Sequence, residues 1–161
     1  MKNYSVFLYI IVVIVANASA TKMSSCSDAT GKYPINVNYS INSYVCESTP
    51  CDCILGCESL IDVFFQAPRY LEHIKPKVHA SCMGVEMDYP LNQDDACEGF
   101  TNTQCPIVPN ELVNYQYKLT IPPIFPEVTV TLTYYLEDED LDENFICFEW
   151  DVNVKKTACP T

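Results

Sequence analysis

Histidine, tryptophan and basic side chains are scarce in this sequence. It has two histidines, one tryptophan and nine lysines and arginines against 21 aspartates and glutamates, and its formal net charge at pH 7 is −12. A chain this acidic is poorly suited to bind nucleic acid or an anionic surface at neutral pH. Neither a Gly-x-Ser-x-Gly elbow nor a His-Glu-x-x-His motif occurs, so only His73 and His79 offer imidazole groups for catalysis. The sequence therefore predicts a protein that is not an enzyme and that needs no cofactor or metal.

Long apolar runs are missing beyond the first twenty residues. Lys2 precedes an apolar run at residues 6–15, and the small residues Ala18 and Ala20 then stand where signal peptidase accepts them. This run is about half as long as a transmembrane anchor, which needs roughly twenty apolar residues. We therefore predict that residues 1–20 are a signal peptide and that residues 21–161 form one domain, which enters the secretory route.

All ten cysteines fall within residues 21–161. In an oxidising compartment, an even number of cysteines predicts a disulfide framework. A zinc site built from Cys51, Cys53, Cys57 and His73 is the alternative. It is less favoured, because a secreted chain would oxidise these thiols and no second Cys-x-x-Cys or His-x-x-x-His half completes the site.

Alternating apolar and polar residues predict about seven strands and no helix of useful length. The pattern is clearest at residues 128–136, 113–121 and 146–154, and it recurs over shorter stretches at residues 35–39, 61–65 and 74–83. Short antiparallel strands of this kind predict an all-β protein, an immunoglobulin-like two-sheet β-sandwich. The acidic residues 138–143 are expected to be solvated charge in a turn.

The strand predicted around residues 35–39 carries a glycosylation sequon. The tripeptide Asn38-Tyr39-Ser40 predicts that Asn38 is glycosylated and that its strand lies at the surface. An unused sequon is the alternative that the sequence leaves open.

The order of cysteines and of short motifs resembles the ML (lipid-recognition) family over nearly all of residues 21–161. The cysteine frame consists of Cys26, the Cys46-Glu-Ser-Thr-Pro-Cys51 pair, Cys97 with Cys105-Pro106-Ile107, and Cys147-Phe148-Glu149. The other landmarks are Gly56, His79, Met83-Gly84-Val85, Tyr89-Pro90 and Phe125-Pro126. This resemblance implies a disulfide-stabilised sandwich whose two sheets are held apart around a lipid cavity.

The resemblance also implies which cysteines pair and which residues meet the lipid. The implied disulfides are Cys26–Cys147, Cys46–Cys51 and Cys97–Cys105. The remaining four cysteines allow three pairings, and we favour Cys53–Cys57, with Cys82 and Cys159 either joined or free. Tyr89, Ile121 and Phe125 would guard the mouth of the cavity. The cavity itself would be lined by Val63, Phe65, Met83, Tyr117, Leu119, Val130, Leu132, Tyr134, Phe148 and Trp150.

By the same resemblance, the protein would be a monomeric, secreted or lysosomal carrier. It would bind and transfer a sterol, a fatty acid or another hydrophobic small molecule, which it would hand to a membrane or a membrane receptor, and it would not bind nucleic acid. A lipid-sensing recognition module, acting in innate immunity or as a semiochemical carrier, is the alternative within the family. A module that binds microbial glycolipids benefits from basic groups at its mouth, and Arg69, Lys75 and Lys77 form the only modest basic cluster in the sequence.

Overall fold

The computed structural model describes residues 22–27 and 31–160, and the predicted signal peptide lies outside this range. Within the described residues the chain forms nine β-strands and one short 3-10 helix at Ala96–Gly99. No helix in this part of the chain has the length and apolar character needed to cross a bilayer. The strands are β1 (Asn36–Ile41), β2 (Tyr44–Val45), β3 (Cys51–Ile54), β4 (Glu58–Gln66), β5 (Ile74–Cys82), β6 (Val85–Tyr89), β7 (Leu112–Thr120), β8 (Thr129–Asp138) and β9 (Glu143–Lys155).

The strands form two sheets, which confirms the predicted β-sandwich. The order is β2-β1-β4-β7 in the four-stranded sheet and β3-β9-β8-β5-β6 in the five-stranded sheet. Every pairing between these strands is antiparallel except that of β3 with β9. Because side chains alternate along a strand, each sheet turns one apolar face inward. In β4, for example, Ile61, Val63 and Phe65 are buried, whereas Glu58 and Gln66 at its ends are exposed.

Aromatic side chains fill the middle of the sandwich. The ring of Phe148 stacks on Tyr134 at a centroid distance of 5.3 Å and on Trp150 at 5.6 Å. Between the two sheets, the ring of Phe65 on β4 packs against Phe145 on β9 at 5.7 Å, and Tyr39 on β1 packs against Trp150 on β9 at 6.0 Å. The two sheets are therefore held together in the middle by interlocked side chains.

Three strands were not predicted, and one residue was placed on the wrong face. The hairpin of β5 and β6 turns at Met83 and Gly84, whose φ angles of 51° and 79° lie in the left-handed region. Such a two-residue turn reverses the chain at once. The strands β2 and β3 are too short to show a clear alternation. Ile35 precedes β1 and is 58% exposed, so it does not continue the buried face of Val37 and Tyr39.

The expectation that residues 138–143 lie in a turn is wrong at both ends, because Asp138 is the last residue of β8 and Glu143 is the first residue of β9. Strand β8 continues to Asp138, whose side chain is buried, as is that of its neighbour Glu137. The guanidinium Nε of Arg69 lies 2.7 Å from an Asp138 carboxylate oxygen, and Lys77 pairs with Glu137. These buried carboxylates are retained because each has a cationic partner.

The structure contains four disulfides in the described residues. Three join the pairs that the family resemblance implies, Cys26–Cys147, Cys46–Cys51 and Cys97–Cys105. The fourth joins Cys57 to Cys159, so the predicted Cys53–Cys57 pair is wrong.

The topology explains the fourth disulfide. The chain after β9 returns past the start of β4, and the Asn42 side-chain amide donates a hydrogen bond to the Pro160 carbonyl at 3.1 Å. Cys159 is thereby placed beside Cys57, with their Cα atoms 5.8 Å apart. Cys53 and Cys82 remain free thiols.

Asn38 lies in the middle of β1, opposite Asp62 of β4, with its side chain on the outward, half-buried face. This position is the surface position that the sequon predicts. Glycosylation of Asn38 itself stays a prediction.

Candidate functional site

An apolar cavity of about 430 Å³ lies at one end of the five-stranded sheet. Strands β5, β6, β8 and β9 form its walls, and the loop after β7 closes it from the side of the other sheet. None of the described side chains that line it is charged. We call this space the apolar cavity, and its lining consists of Ala80, Cys82, Met83, Val85, Met87, Tyr89, Ile121, Phe125, Pro126, Val128, Val130, Leu132, Val152 and Val154.

The edge strand β6 supplies one wall of the mouth. Val85, Met87 and Tyr89 alternate with Glu86 and Asp88, so all three point to the same face as the inward residues of β5. Met83 in the adjoining turn is 91% exposed, and Val85 and Met87 are more than half exposed. These side chains form an apolar rim that is exposed to water. Exposed apolar patches of this kind often mark a site where a ligand, a membrane or another protein binds.

The loop after β7 supplies the opposite side of the mouth. The Phe125 backbone N–H donates a hydrogen bond to the Pro122 carbonyl at 3.2 Å, which closes a turn. The Phe125 ring packs against the Tyr89 ring at a centroid distance of 6.3 Å. Because prolines restrict the backbone of this loop, opening of the mouth would depend on movement of these two aromatic side chains.

The structure brings together six of the thirteen residues predicted to bind lipid. Met83, Tyr89, Ile121, Phe125, Val130 and Leu132 line the apolar cavity, and Tyr89 and Phe125 lie at its mouth as expected. The other seven are buried in the closed core and do not line it. They are Val63, Phe65, Tyr117, Leu119, Tyr134, Phe148 and Trp150.

Eight lining residues were not predicted. Six of them carried a usable signal. Val128, Val152 and Val154 share the inward face of predicted residues, and Ala80 lies on one face of the alternating stretch at residues 74–83. Val85 and Met87 also alternate with acidic residues. Pro126 belongs to a motif used for the resemblance, and Cys82 was considered above only for its disulfide pairing.

The hydroxyls of three buried tyrosines in the core already have partners. Tyr115 donates to the Gln93 side-chain oxygen at 2.9 Å, and its own oxygen lies 2.8 Å from the Tyr134 hydroxyl. The Tyr117 hydroxyl donates to the Asn92 side-chain oxygen at 2.6 Å. Burial raises the pKa of Tyr115 and of Tyr134, so both phenols stay neutral. These hydroxyls are therefore donors and acceptors within the protein's own hydrogen-bond network.

The free thiol of Cys53 is buried against two hydroxyls. It interacts with Tyr39 and Ser59, and burial is the main cause that raises its pKa. A buried thiol with a raised pKa is a poor nucleophile.

Within the described residues no cluster of three or more His, Cys, Asp or Glu side chains is arranged to hold a metal ion. Cys51 and Cys57 are both in disulfides.

The basic cluster considered in the sequence is neutralised and lies away from the mouth. Arg69 pairs with Asp138, Lys77 with Glu137, and the Lys75 ammonium lies 3.7 Å from Glu139. Lys75 and Lys77 are on the outward face of β5, whereas Ala80 and Cys82 face the apolar cavity. This arrangement does not offer free cations to a phosphate group at the mouth.

Comparison with known proteins places this architecture in a family. The sequence matches the family model of the ML domain over residues 20–154. It is 30% identical over 140 residues to NPC intracellular cholesterol transporter 2 homolog a of Drosophila melanogaster, a match that covers 84% of this chain and 88% of that protein. It is 26% identical over 149 residues to NPC intracellular cholesterol transporter 2 of Bos taurus, with coverage of 92% and 95%.

A solved structure shares this fold. It is similar to the crystal structure of a Niemann-Pick type C2 protein from Japanese carpenter ant, with a TM-score of 0.69 at 17% identity. That match covers 83% of this chain and 99% of the ant protein, so the whole sandwich is shared. The predicted resemblance is therefore confirmed, and the chain belongs to the ML domain family.

Proposed function

We propose that this protein binds one sterol or similar apolar lipid in the apolar cavity and carries it between membranes. The observation that carries the proposal is a cavity of about 430 Å³ whose described lining has no charged side chain. Cavities that bind small molecules usually measure about 300 to 1,000 Å³ and are mostly apolar. The relatives named as cholesterol transporters support a sterol as the ligand.

Apolar contact alone supplies enough free energy for useful affinity. Burial of about 300 Å² of ligand surface at 25 to 45 cal/mol/Å² gives a gross gain of about 7 to 14 kcal/mol. Loss of translational and rotational freedom offsets part of this gain. A dissociation constant near 1 μM corresponds to about 8 kcal/mol, so micromolar binding needs no charged contact.

The exposed rim supports delivery to a membrane. Met83 and Ile124 are 91% and 87% exposed on the two sides of the mouth. Contact of these side chains with lipid would remove apolar surface from water and bring the mouth to the bilayer. We propose a monomeric carrier that works in the extracellular space or the lysosome, as the predicted signal peptide would allow.

The proposal is tested by titrating the purified protein separately with a fluorescent sterol and a fluorescent fatty acid. We expect at least one of them to bind with a dissociation constant below about 10 μM, which corresponds to roughly 7 kcal/mol. An unlabelled ligand of the same class should displace the probe. If neither probe binds in this range, the protein is not a lipid carrier of the proposed kind.

A further inference from the structure

Strand β6 forms an open edge of the five-stranded sheet. It pairs with β5 on one side, and no described strand pairs with it on the other. The first four of its residues are exposed, and Tyr89 at its end is partly exposed. An open edge can pair with a strand of another chain, so proteins usually cover or blunt such edges.

The chain covers the corresponding edge of the other sheet, which is strand β7. The Thr101 backbone N–H donates to the Asn114 carbonyl at 2.9 Å. The Asn102 side chain accepts from the Asn114 N–H at 2.7 Å and donates to the Leu112 carbonyl at 2.8 Å. These contacts satisfy outer backbone groups of β7, whereas within the described residues no hydrogen bond covers β6 in this way.

The two-residue turn before β6 determines which of its backbone groups are free. In such a hairpin the pair that flanks the turn, here Cys82 and Val85, exchanges hydrogen bonds. Bonded pairs alternate with unbonded pairs along antiparallel strands, so every second residue of β6, beginning at Val85, is bonded to β5. The N–H and C=O groups of Glu86 and Asp88 therefore point away from β5 to the open edge.

The two faces of β6 differ in their chemistry. Val85 and Met87 lie on the face of the apolar rim, whereas Glu86 and Asp88 lie on the outward face of the sheet. The Asp88 carboxylate lies 2.6 Å from His79 Nδ1 and is still 84% exposed, and Glu86 has no cationic partner among the described residues. A strand added at this edge would meet two carboxylates on one face and apolar side chains on the other.

A second copy of this chain does not fit the edge. In an antiparallel pairing of β6 with itself, the outward faces would place Glu86 and Asp88 opposite carboxylates of the other copy. Like charges directly opposite each other destabilise a sheet. A bilayer surface fits poorly as well, because it offers no ordered row of donors and acceptors to match the free backbone groups.

We propose that β6 docks an extended segment of a partner protein in which basic residues alternate with apolar residues. The backbone of that segment would pair with the free groups of Glu86 and Asp88, as in other cases of strand addition. Its Lys or Arg side chains would lie opposite the two carboxylates, and the apolar residue between them would lie beside Met87. The inference goes beyond the carrier function and does not depend on which lipid the apolar cavity binds.

A capped seven-residue peptide of alternating lysine and valine is the probe. Residues that pair across strands share a face, so its lysine amides would face β6 and its valine amides would face solvent. N-methylation of the lysine amides removes donors needed for pairing and should weaken binding at least tenfold. N-methylation of the valine amides is the matched control and should leave binding nearly unchanged. A peptide with glutamate in place of lysine should bind at least tenfold more weakly.

Hydrogen exchange in ¹⁵N-labelled protein shows where the peptide binds. The amide protons of Glu86 and Asp88 should exchange at least tenfold more slowly with saturating peptide, because they gain acceptors. The amide proton of Met87 is already bonded to β5 and should change little. In the double variant Glu86→Lys, Asp88→Lys the preference should reverse, and the glutamate peptide should bind about tenfold more tightly than the lysine peptide.

Three outcomes would overturn the inference. The first is that the lysine peptide does not bind, and the second is that its two N-methylated forms bind equally, because backbone pairing is then not the mode of binding. The third is that anionic vesicles, but not the peptide, protect the amides of Glu86 and Asp88, since the edge would then meet a membrane. Sterol titration of the same samples separates these results from the proposed function, which stands if the sterol binds.

Discussion

Two isoleucines in the loop after β7 allow a matched test of the apolar cavity. Ile121 lines the cavity and is 7% exposed, whereas Ile124 does not line it and is 87% exposed. The same substitution, Ile to Asp, can therefore be made three residues apart. We expect Ile121→Asp to abolish lipid binding and Ile124→Asp to leave it nearly unchanged.

The expected loss follows from the burial of a charge. In the complex, the lipid would exclude water from the carboxylate of Ile121→Asp, and no described side chain of the lining is a cation that could pair with it. An unpaired charge in such surroundings costs several kcal/mol. Since about 1.4 kcal/mol corresponds to a tenfold change, a penalty of about 3 kcal/mol weakens binding by more than a hundredfold.

The same substitution also removes a buried side chain, so stability must be measured separately. Truncation of a buried isoleucine typically costs about 2 to 5 kcal/mol, which is a large part of the 5 to 15 kcal/mol that stabilises most domains. Circular dichroism and the denaturant midpoint should show that Ile121→Asp is folded but less stable than Ile124→Asp. Binding is then measured well below the melting temperature.

The pH dependence separates a charge effect from a packing effect. Desolvation raises the pKa of a carboxyl group, so lowering the pH should protonate the new Asp and partly restore binding to Ile121→Asp. Fluorescent-sterol titrations between pH 4.5 and 7.5 test this, with Ile124→Asp as the control. A folded Ile121→Asp protein with normal affinity at pH 7.5 would refute the location of the ligand in the apolar cavity.

The remaining predictions concern the framework and the charge. Replacing Cys26 and Cys147 by serine should cost about 5 kcal/mol, against about 2 for Cys46 and Cys51, because the sequence separations are 121 and 5 residues; equal denaturant midpoints at equal m-values would contradict this. A hydrogen bond to Asp140 raises the pKa of His73 above 6.5. The pair therefore stabilises the folded protein below pH 6.5, and this contribution is lost as the pH rises through the pKa of His73 in the folded protein. NMR titration should show that the pKa of His73 is lower in Asp140→Asn. Transfer of lipid to anionic vesicles should be faster near pH 5 than at pH 7 and should depend on salt, because the net charge of −12 falls in magnitude on acidification. A transfer rate that does not change with pH would argue against delivery to anionic membranes in an acidic compartment.

The alternation of side chains predicted the longer strands and their inner faces. Residues 113–121 and 146–154 correspond closely to β7 and β9, and their apolar members are the buried ones. Alternation fixes the face of a residue but not its position between the middle and the end of the sandwich. Phe65 and Phe148 were therefore predicted correctly as inward, yet they fill the core instead of lining the apolar cavity.

Features that depend on tertiary contact could not be read from local patterns. Cys57 and Cys159 are 102 residues apart and meet only because the chain after β9 returns past the start of β4. Asp138 looked like part of an acidic turn, because its partner Arg69 lies far away in the sequence.

Lipid analysis of the purified protein tests the central claim most directly. The protein and its Ile121→Asp and Ile124→Asp variants are incubated with excess cholesterol, freed of unbound lipid, and analysed by extraction and mass spectrometry. We predict one sterol per chain in the unmodified protein and in Ile124→Asp, and almost none in Ile121→Asp. Absence of sterol from the unmodified protein, or equal amounts in a folded Ile121→Asp protein, would contradict the claim that the apolar cavity is the lipid-binding site.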